Sequence, residues 1–272
     1  MSSTKSRQIA LFGATGGTGS ATVRSLLQRY DPLLELRLMV RSKAKLLKLI
    51  PELRHKSNLV IHEGQLTDTA TVRSCVENAD IIICTIGEND NRPGCRPIQD
   101  IAKSIIDAIQ ELKSSSVDWK RPRLILLSSS TWNERFASHE GVVINWLLKA
   151  AFYYPYLDLR LATAMFEGSS DLLSLLLVQP SALVQDEPSG MAISAQWVSV
   201  AVSYADLGEG FAELALEESY ARLHAVGVSS KGAIGGEGLR KYGFELVSRI
   251  IRGLFIGYMP GYWAVKNYMN RT

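Results

Sequence analysis

The residues best placed to do chemistry sit in one run, GATGGTGSATVRSLL, from Gly13 to Leu27. Its glycines are spaced Gly13-x-x-Gly16-x-x-Gly19, with Gly17 in addition, directly after the β-forming run RQIALF (Arg7 to Phe12). In that setting the first glycine permits a tight turn off a strand. The middle ones let backbone approach a pyrophosphate, and the last lets a helix pack closely on the sheet. Free N–H groups at the helix start then face the phosphates. Thr15 and Thr18 add hydroxyl donors. The pattern predicts a dinucleotide cradle of Gly13, Thr15, Gly16, Gly17, Thr18 and Gly19, the alternative being a plain glycine-rich turn.

The end of the second strand bears on which dinucleotide. A chain that selects NAD usually carries Asp or Glu there, bonded to the ribose hydroxyls. Here the stretch reads MVRSKAKL, with Arg41, Lys43 and Lys45 and no acid. Cations favour a 2′-phosphate, and an arginine can fork onto it. The expectation is NADP(H), with Arg41 as the main contact and Lys45 beside it. The alternative is a solvated helix start whose cations touch nothing. Strand three runs into Gly64-Gln65-Leu66-Thr67-Asp68, where Gln65 and Leu66 would flank the adenine and Asp68 either joins them or only caps the next helix. Strand four runs into Thr85-Ile86-Gly87, where a glycine lets the chain pass close to ribose and nicotinamide. Ile86, Gly87 and, after the run LLLVQ, Pro180 are placed at the same cleft.

The elements that must hold these residues follow from periodicity. Apolar strands are expected at Gln8–Phe12, Leu36–Val40, Asn58–Glu63, Ile81–Thr85, Leu124–Ser128 and Leu175–Gln179. Helices are expected at Gly19–Arg29 and Lys43–Ile50, from Asp68 onward, and from Pro97, where Ile98, Ile101, Ile105, Ile109 and Leu112 keep a 3.6 spacing. Ser114 to Asp118 reads as a loop. Strands apolar throughout, alternating with amphipathic helices, mean a parallel sheet covered on both faces. Right-handed crossovers then give an α/β, Rossmann-type doubly wound parallel sheet. A single domain over 1–272 is expected, with a small C-terminal substrate lobe built mainly from about 131–170 and 186–272.

Composition narrows the function classes. With 46% hydrophobic and 21% charged residues, the 272-residue chain is expected to bury a proper core. A net charge of +3 is too balanced to argue for nucleic acid. Three cysteines, Cys75, Cys84 and Cys95, point to a reducing compartment and a cytoplasmic location. His55, His62, His139 and His224 are scattered, so no metal site is expected. The apolar part of the N-terminus is too short for a signal segment. No apolar run reaches the ~18 residues of a spanning helix. The greasiest run, Leu172 to Val178, reads as a buried strand after a helix turn.

These residues carry a resemblance. GATGGTGSATVRSLL, MVRSKAKL, HEGQLTDTATV, ADIIICTIG, LILLSSS and LLLVQPSALV, over residues 7–185, resemble the atypical short-chain dehydrogenase/reductase group. The likeness is strongest to its NmrA-like and flavin-reductase/biliverdin-reductase-like members. Ser199 to Ala215, SVAVSYADLGEGFAELA, resembles the strand and Asp-started helix that close the substrate lobe there. The resemblance implies small-molecule chemistry, and many fungal members tailor secondary metabolites. It also implies a mechanism: a Tyr hydroxyl passes a proton, a Lys four residues on lowers its pKa, and a Ser orients the substrate carbonyl. Ser128, Ser129 and Ser130 end strand five, and Ser128 or Ser130 is taken as the serine. The only Y-x-x-x-K, Tyr262 to Lys266, comes after all the Rossmann strands and reads as coincidence. Between strands five and six stands Y-x-x-x-R, Tyr156 and Arg160. Arginine is a wider, forked cation that keeps its proton, so the usual relay is in doubt. The competing reading is an aromatic cluster of Phe152, Tyr153, Tyr154 and Tyr156.

Near the C-terminus Phe244, Val247, Ile251, Leu254 and Phe255 mark one apolar side of a helix. That stripe should be docked on the domain, wall a pocket, form a homodimer face or lie on a membrane surface. The leading expectation is an NADP(H)-dependent oxidoreductase acting on a hydrophobic small molecule. Hydride would pass between the nicotinamide and a carbonyl, imine or conjugated double bond. A redox-neutral cyclase or isomerase on the same scaffold and an NADP-binding regulator stand as alternatives.

Overall fold

The computed structural model describes residues 7–29, 33–137 and 141–269; His139 and the polar lead at 1–6 lie outside them. Strands β1 (Arg7–Phe12), β2 (Leu34–Val40), β3 (Leu59–Glu63), β4 (Ile81–Cys84), β5 (Arg123–Leu127) and β6 (Ser174–Val178) are parallel neighbours in the order 3-2-1-4-5-6. Four shorter strands follow: β7 (Ala182–Val184), β8 (Met191–Ser194), β9 (Ala201–Ser203) and β10 (Ala225–Ser230). β10 extends the sheet past β6 and β8 closes it antiparallel, making eight strands, while β7 and β9 pair as a separate two-stranded sheet.

Successive side chains of a strand point to opposite faces, so β1 feeds two cores at once. Ile9 and Leu11 join one apolar cluster and Ala10 and Phe12 the other, all fully buried. Helices α1 (Gly17–Gln28) and α2 (Lys43–Leu49) cover the first face. α3 (Thr69–Val76) and α4 (Pro97–Ser115) cover the second. Beyond β5 come the short α5 (Glu134–Ala137), then α6 (Val142–Ala151) and α7 (Tyr153–Glu167). α8 (Tyr204–Leu216) follows β9, and α9 (Gly236–Tyr258) and α10 (Tyr262–Met269) end the fold.

The doubly wound sheet is as expected, with local differences that have physical causes. α1 starts at Gly17 rather than Gly19, because Gly16 already takes the extended cap conformation. α4 absorbs Ser114 and Ser115, which the sequence assigned to a loop. Its N-terminus gains a cap from outside: Asp158 of α7 accepts hydrogen bonds from the amides of Ile98 (2.9 Å) and Gln99 (3.0 Å) and from Gln99 Nε2 (3.0 Å).

The segment expected to close a substrate lobe does something else. α8 begins at Tyr204 and is capped by Ser203 Oγ, which accepts from the Asp206 amide at 3.0 Å. Asp206 is fully buried and serves structure, accepting from the Ser189 and Gly190 amides and from Ser230 Oγ. α8 then lies on α1. A methyl group added at Gly208 would stand 2.5 Å from the Ala21 backbone carbon, so the two helices meet almost backbone to backbone. Of the residues assigned to the lobe, β8, β10 and α8 thus serve the main sheet.

For the C-terminal stripe, the docked reading is corrected. Phe244 is 89% exposed, and Val247, Ile251 and Phe255 are also exposed. α9 docks instead by the opposite, narrower side, with Gly238, Tyr242, Gly253 and Ile256 buried. A methyl at Gly253 would be 2.4 Å from the Ala151 carbonyl oxygen, and one at Gly257 would be 2.1 Å from Asn91 Nδ2. Glycines give the close approach, so the bulky side is left outward. Among the described residues no helix is long and apolar enough to cross a membrane.

Asp158→Ala should lower stability by about 1–3 kcal/mol, the cost of leaving buried amides without acceptors. Urea unfolding followed by circular dichroism will read it. A loss indistinguishable from zero would mean that water replaces the carboxylate as the cap of α4.

Candidate active site

The carboxyl ends of β1, β4, β5 and β6 meet along one edge of the sheet, where the strand order reverses between β1 and β4. Open α/β sheets bind ligands at that position. After β1 the chain turns at Gly13, whose φ of +94° suits glycine. A methyl there would be 2.6 Å from Thr85 Oγ1, which donates to the Phe12 carbonyl at 3.0 Å. At Gly19 a methyl would stand 2.1 Å from the Gly13 carbonyl oxygen, so α1 is seated against its own entry turn.

Gly16 is exposed, and no side chain caps α1. The orphan amides of its first turn are therefore available to an anion. Gly17 is glycine for another reason: the Tyr204 ring lies where a side chain would go, 2.7 Å from a methyl. Thr15 is half-buried at the loop, whereas Thr18 is buried within the first turn.

The other expected cofactor contacts surround this cradle. Arg41 and Lys45 are exposed, with no acid near them in sequence, while Ser42 between them caps α2 by accepting from the Lys45 amide at 3.2 Å. Gln65 is exposed and Leu66 packs against the second core. Asp68 is a helix cap, accepting from the amide (3.1 Å) and hydroxyl (2.6 Å) of Thr71, and these bonds lower its pKa. Beside β4, Ile86 is half-buried against the second core and Gly87 opens onto empty space, with nothing within 4 Å of a notional methyl. Pro180 is buried, and its carbonyl accepts from the Ser130 amide at 3.0 Å. A cradle that side chains would fill and uncapped helix amides together fit a dinucleotide.

After β5 the hydroxyls that meet Tyr156 are those of Ser129 and Thr131, neighbours in the chain of the expected Ser128 and Ser130. Ser129 Oγ donates to Tyr156 OH at 3.3 Å, Thr131 Oγ1 lies 3.1 Å from the same phenol, and the two smaller hydroxyls are 3.2 Å apart. Ser130 turns the other way, with its Oγ 3.2 Å from Ser181 Oγ and the residue 1% exposed. Ser128 is fixed through its amide to the Val178 carbonyl at 2.7 Å. The cause is local. Ser129 stays extended and caps a 3-10 turn over Ser130–Trp132, which aims Ser129 and Thr131 to one side and Ser130 to the other.

Arg160 does not take the place of the missing lysine. Its guanidinium lies over Trp132, 4.5 Å from the ring centre, and Trp132 meets Tyr156 edge-on at 5.9 Å. Lys149 Nζ lies over the same indole at 4.6 Å. Phe152 packs on Tyr156 at 5.9 Å, so Tyr156 belongs to an aromatic cluster and also meets the Ser129 and Thr131 hydroxyls. Lys266 of the C-terminal Y-x-x-x-K pairs with Asp90 at 2.9 Å and stacks on Trp263. Of the three serines named from the sequence, Ser129 is the one that meets Tyr156, and Thr131, Trp132 and Lys149 join this corner without having been singled out; the run of hydroxyls from Ser128 to Thr131 was the available signal.

An open depression of about 510 Å³ lies beside Trp132, Arg135 and Gln179, large enough for a small organic ligand. A second, of about 440 Å³, lies at the far ends of β2 and β3, away from this edge. Burial pushes the Cys75 and Cys84 thiols up to about 12 and Cys95 up to about 11, so none is an activated nucleophile. Among the described residues no three His, Cys, Asp or Glu side chains converge on a metal position.

Comparison with known proteins agrees with this geometry. A profile described as NAD(P)H-binding matches residues 13–217. The chain is 30% identical to oxidoreductase ordB of Dothistroma septosporum, covering 94% of this chain and 93% of that one. It is 31% identical to averufin oxidase A of Aspergillus flavus, covering 83% of each. Among solved structures it resembles a short-chain dehydrogenase/reductase from Veillonella parvula in complex with NADP, with a TM-score of 0.63 and 19% identity over 84% of this chain and 96% of that one. Rossmann topology, the glycine cradle and a profile match spanning both agree: the chain belongs to the NAD(P)H-binding family.

Proposed function

We propose that the chain is an NADP(H)-dependent reductase of a carbonyl, enone or imine in a hydrophobic small molecule. The observation that carries this is the meeting of Ser129, Thr131 and Tyr156 hydroxyls within 3.3 Å, at the strand edge that also bears the glycine cradle. The fungal oxidoreductases among its relatives support redox chemistry, and averufin oxidase A among them supports a place in secondary metabolism.

Gly13, Gly16 and Gly17 would hold the pyrophosphate against α1, with Arg41 and Lys45 on the 2′-phosphate. Gly87 leaves room for the nicotinamide end. A nicotinamide held there would supply a hydride equivalent to an electrophilic carbon. The chain's own task is the proton. Tyr156 OH stands as the donor to the developing oxyanion or nitrogen anion, and Ser129 and Thr131 hold its rotor and orient the substrate atom. With Arg160 engaged by Trp132, the phenol is resupplied through the smaller hydroxyls rather than by a neighbouring cation. Ser128 and Ser130 then have supporting roles, Ser130 by tying β5 to the chain after β6 through Pro180 and Ser181.

The decisive experiment is a titration with NADPH, NADP⁺ and NADH, followed by stopped-flow absorbance at the nicotinamide band against quinones, enones and imines. Oxidation of NADPH by a panel member is the expected result. Tight binding without any oxidation would overturn the reductase reading and favour a redox-neutral reaction on the same scaffold. Tyr156→Phe should lower the rate by about 100-fold or more. Ser129→Ala should slow turnover with little change in NADPH affinity, and Ser130→Ala should leave the chemical step close to wild type. Equal loss in the two serine variants would remove Ser129 from the site.

Arg41→Ala should weaken NADPH by roughly 10- to 100-fold, the worth of a charge-assisted bond, while leaving NADH nearly unchanged. Parallel weakening of both cofactors would show that Arg41 does not meet the 2′-phosphate.

A further inference from the structure

Two cations beside the hydroxyl cluster have no counter-ion among the described residues. Lys149 of α6 and Arg160 of α7 approach the same Trp132 ring, at 4.6 and 4.5 Å from its centre. Neither makes an ion pair or a hydrogen bond among the described residues. Nearby cations are treated differently: Arg249 pairs with Glu245, and both Arg252 and Lys266 pair with Asp90. An indole face attracts an exposed cation by only about 0.5–1 kcal/mol, and two like charges held at one ring repel each other. Trp132 Nε1 is also buried without an acceptor. The corner therefore gathers donors and positive charge, and although Glu134 lines the depression beside Trp132, no acid among the described residues pairs with either cation.

We infer that the substrate is an aromatic carboxylate, with Lys149 and Arg160 receiving its carboxylate while the rest of the molecule reaches Tyr156. The inference rests on the hydroxyl cluster being the substrate site. The guanidinium fork matches a carboxylate, and the ammonium adds a point charge. Trp132 stands edge-on to Tyr156 at 5.9 Å, and Phe152 lies on the other contact of that phenol, so a flat ring has aromatic walls beside the reacting oxygen. Lys149 and Arg160 are specificity residues in this account. They orient the substrate and leave the proton to Tyr156.

The test is calorimetric titration of the full chain, saturated with NADP⁺, with 2-naphthoate and with 2-naphthamide. The pair shares one ring system and differs in charge. The acid should bind about 10-fold tighter than the amide at low salt, and added salt should shrink the ratio. Lys149→Met and Arg160→Met keep the apolar stems, and each should cut the ratio to about three-fold or less while leaving the amide unchanged. Equal binding of acid and amide, no binding of the acid, a ratio that survives both variants, or parallel loss of both ligands would overturn the inference. Titrating NADP⁺ alone beforehand isolates a failure of the cofactor reading, which shows in that step and not in the acid-to-amide ratio.

Discussion

Helix α1 is held between two backbones. Its third residue, Gly19, stands against the Gly13 carbonyl, and two residues later Ala21 stands against Gly208 of α8. Neither contact leaves room for a methyl group. The cost of glycine in a helix, about 1 kcal/mol relative to alanine, is accepted at both places. In return the helix start is fixed relative to β1 and to the strand edge. Uncapped amides only make an anion site if they are held still, and here the rigidity comes from contact rather than from hydrogen bonds.

The rest of the edge is placed by polar groups acting across the fold. Asp158 ties α7 to the start of α4, and the same helix carries Tyr156 two residues earlier. Asn91, fully buried, accepts from the Tyr154 amide and donates to the carbonyls of Ala150 and Gly253. One side chain thus joins the loop after β4, the junction of α6 with α7, and α9. Tyr156 sits between these two anchors, which hold it in a defined position against Ser129 and Thr131.

The first half of the fold was legible because its signals are local. Strand runs such as Ile81–Cys84 are apolar throughout, and α4 keeps Ile98, Ile101, Ile105 and Ile109 on one face, all of them buried. The glycine cradle was legible for the same reason. The meeting of Ser129 with Tyr156 was not, because four hydroxyl residues in a row give no period, and the selection among them is made by a 3-10 turn and by Pro180 in the loop after β6. The docked reading of the apolar stripe on α9 failed because periodicity reports that a helix has an apolar side. It does not report which side packs, and small residues won that competition through Gly253 and Gly257. Arg160 and Lys149 lie in different helices, and only the fold brings them to one indole.

The contact between α1 and α8 also sets an order of events during synthesis. The inner surface of α1 around Ala21 and Thr22 is complete early, yet its cover, Gly208 and its neighbours, is nearly 190 residues further along the chain. At about 5–20 residues per second, the nascent chain carries that surface open for on the order of ten seconds or more. Throughout that interval the first βαβ unit exists without its lid. The cradle becomes rigid only as α8 emerges, so the nucleotide-binding half cannot mature as an independent early domain.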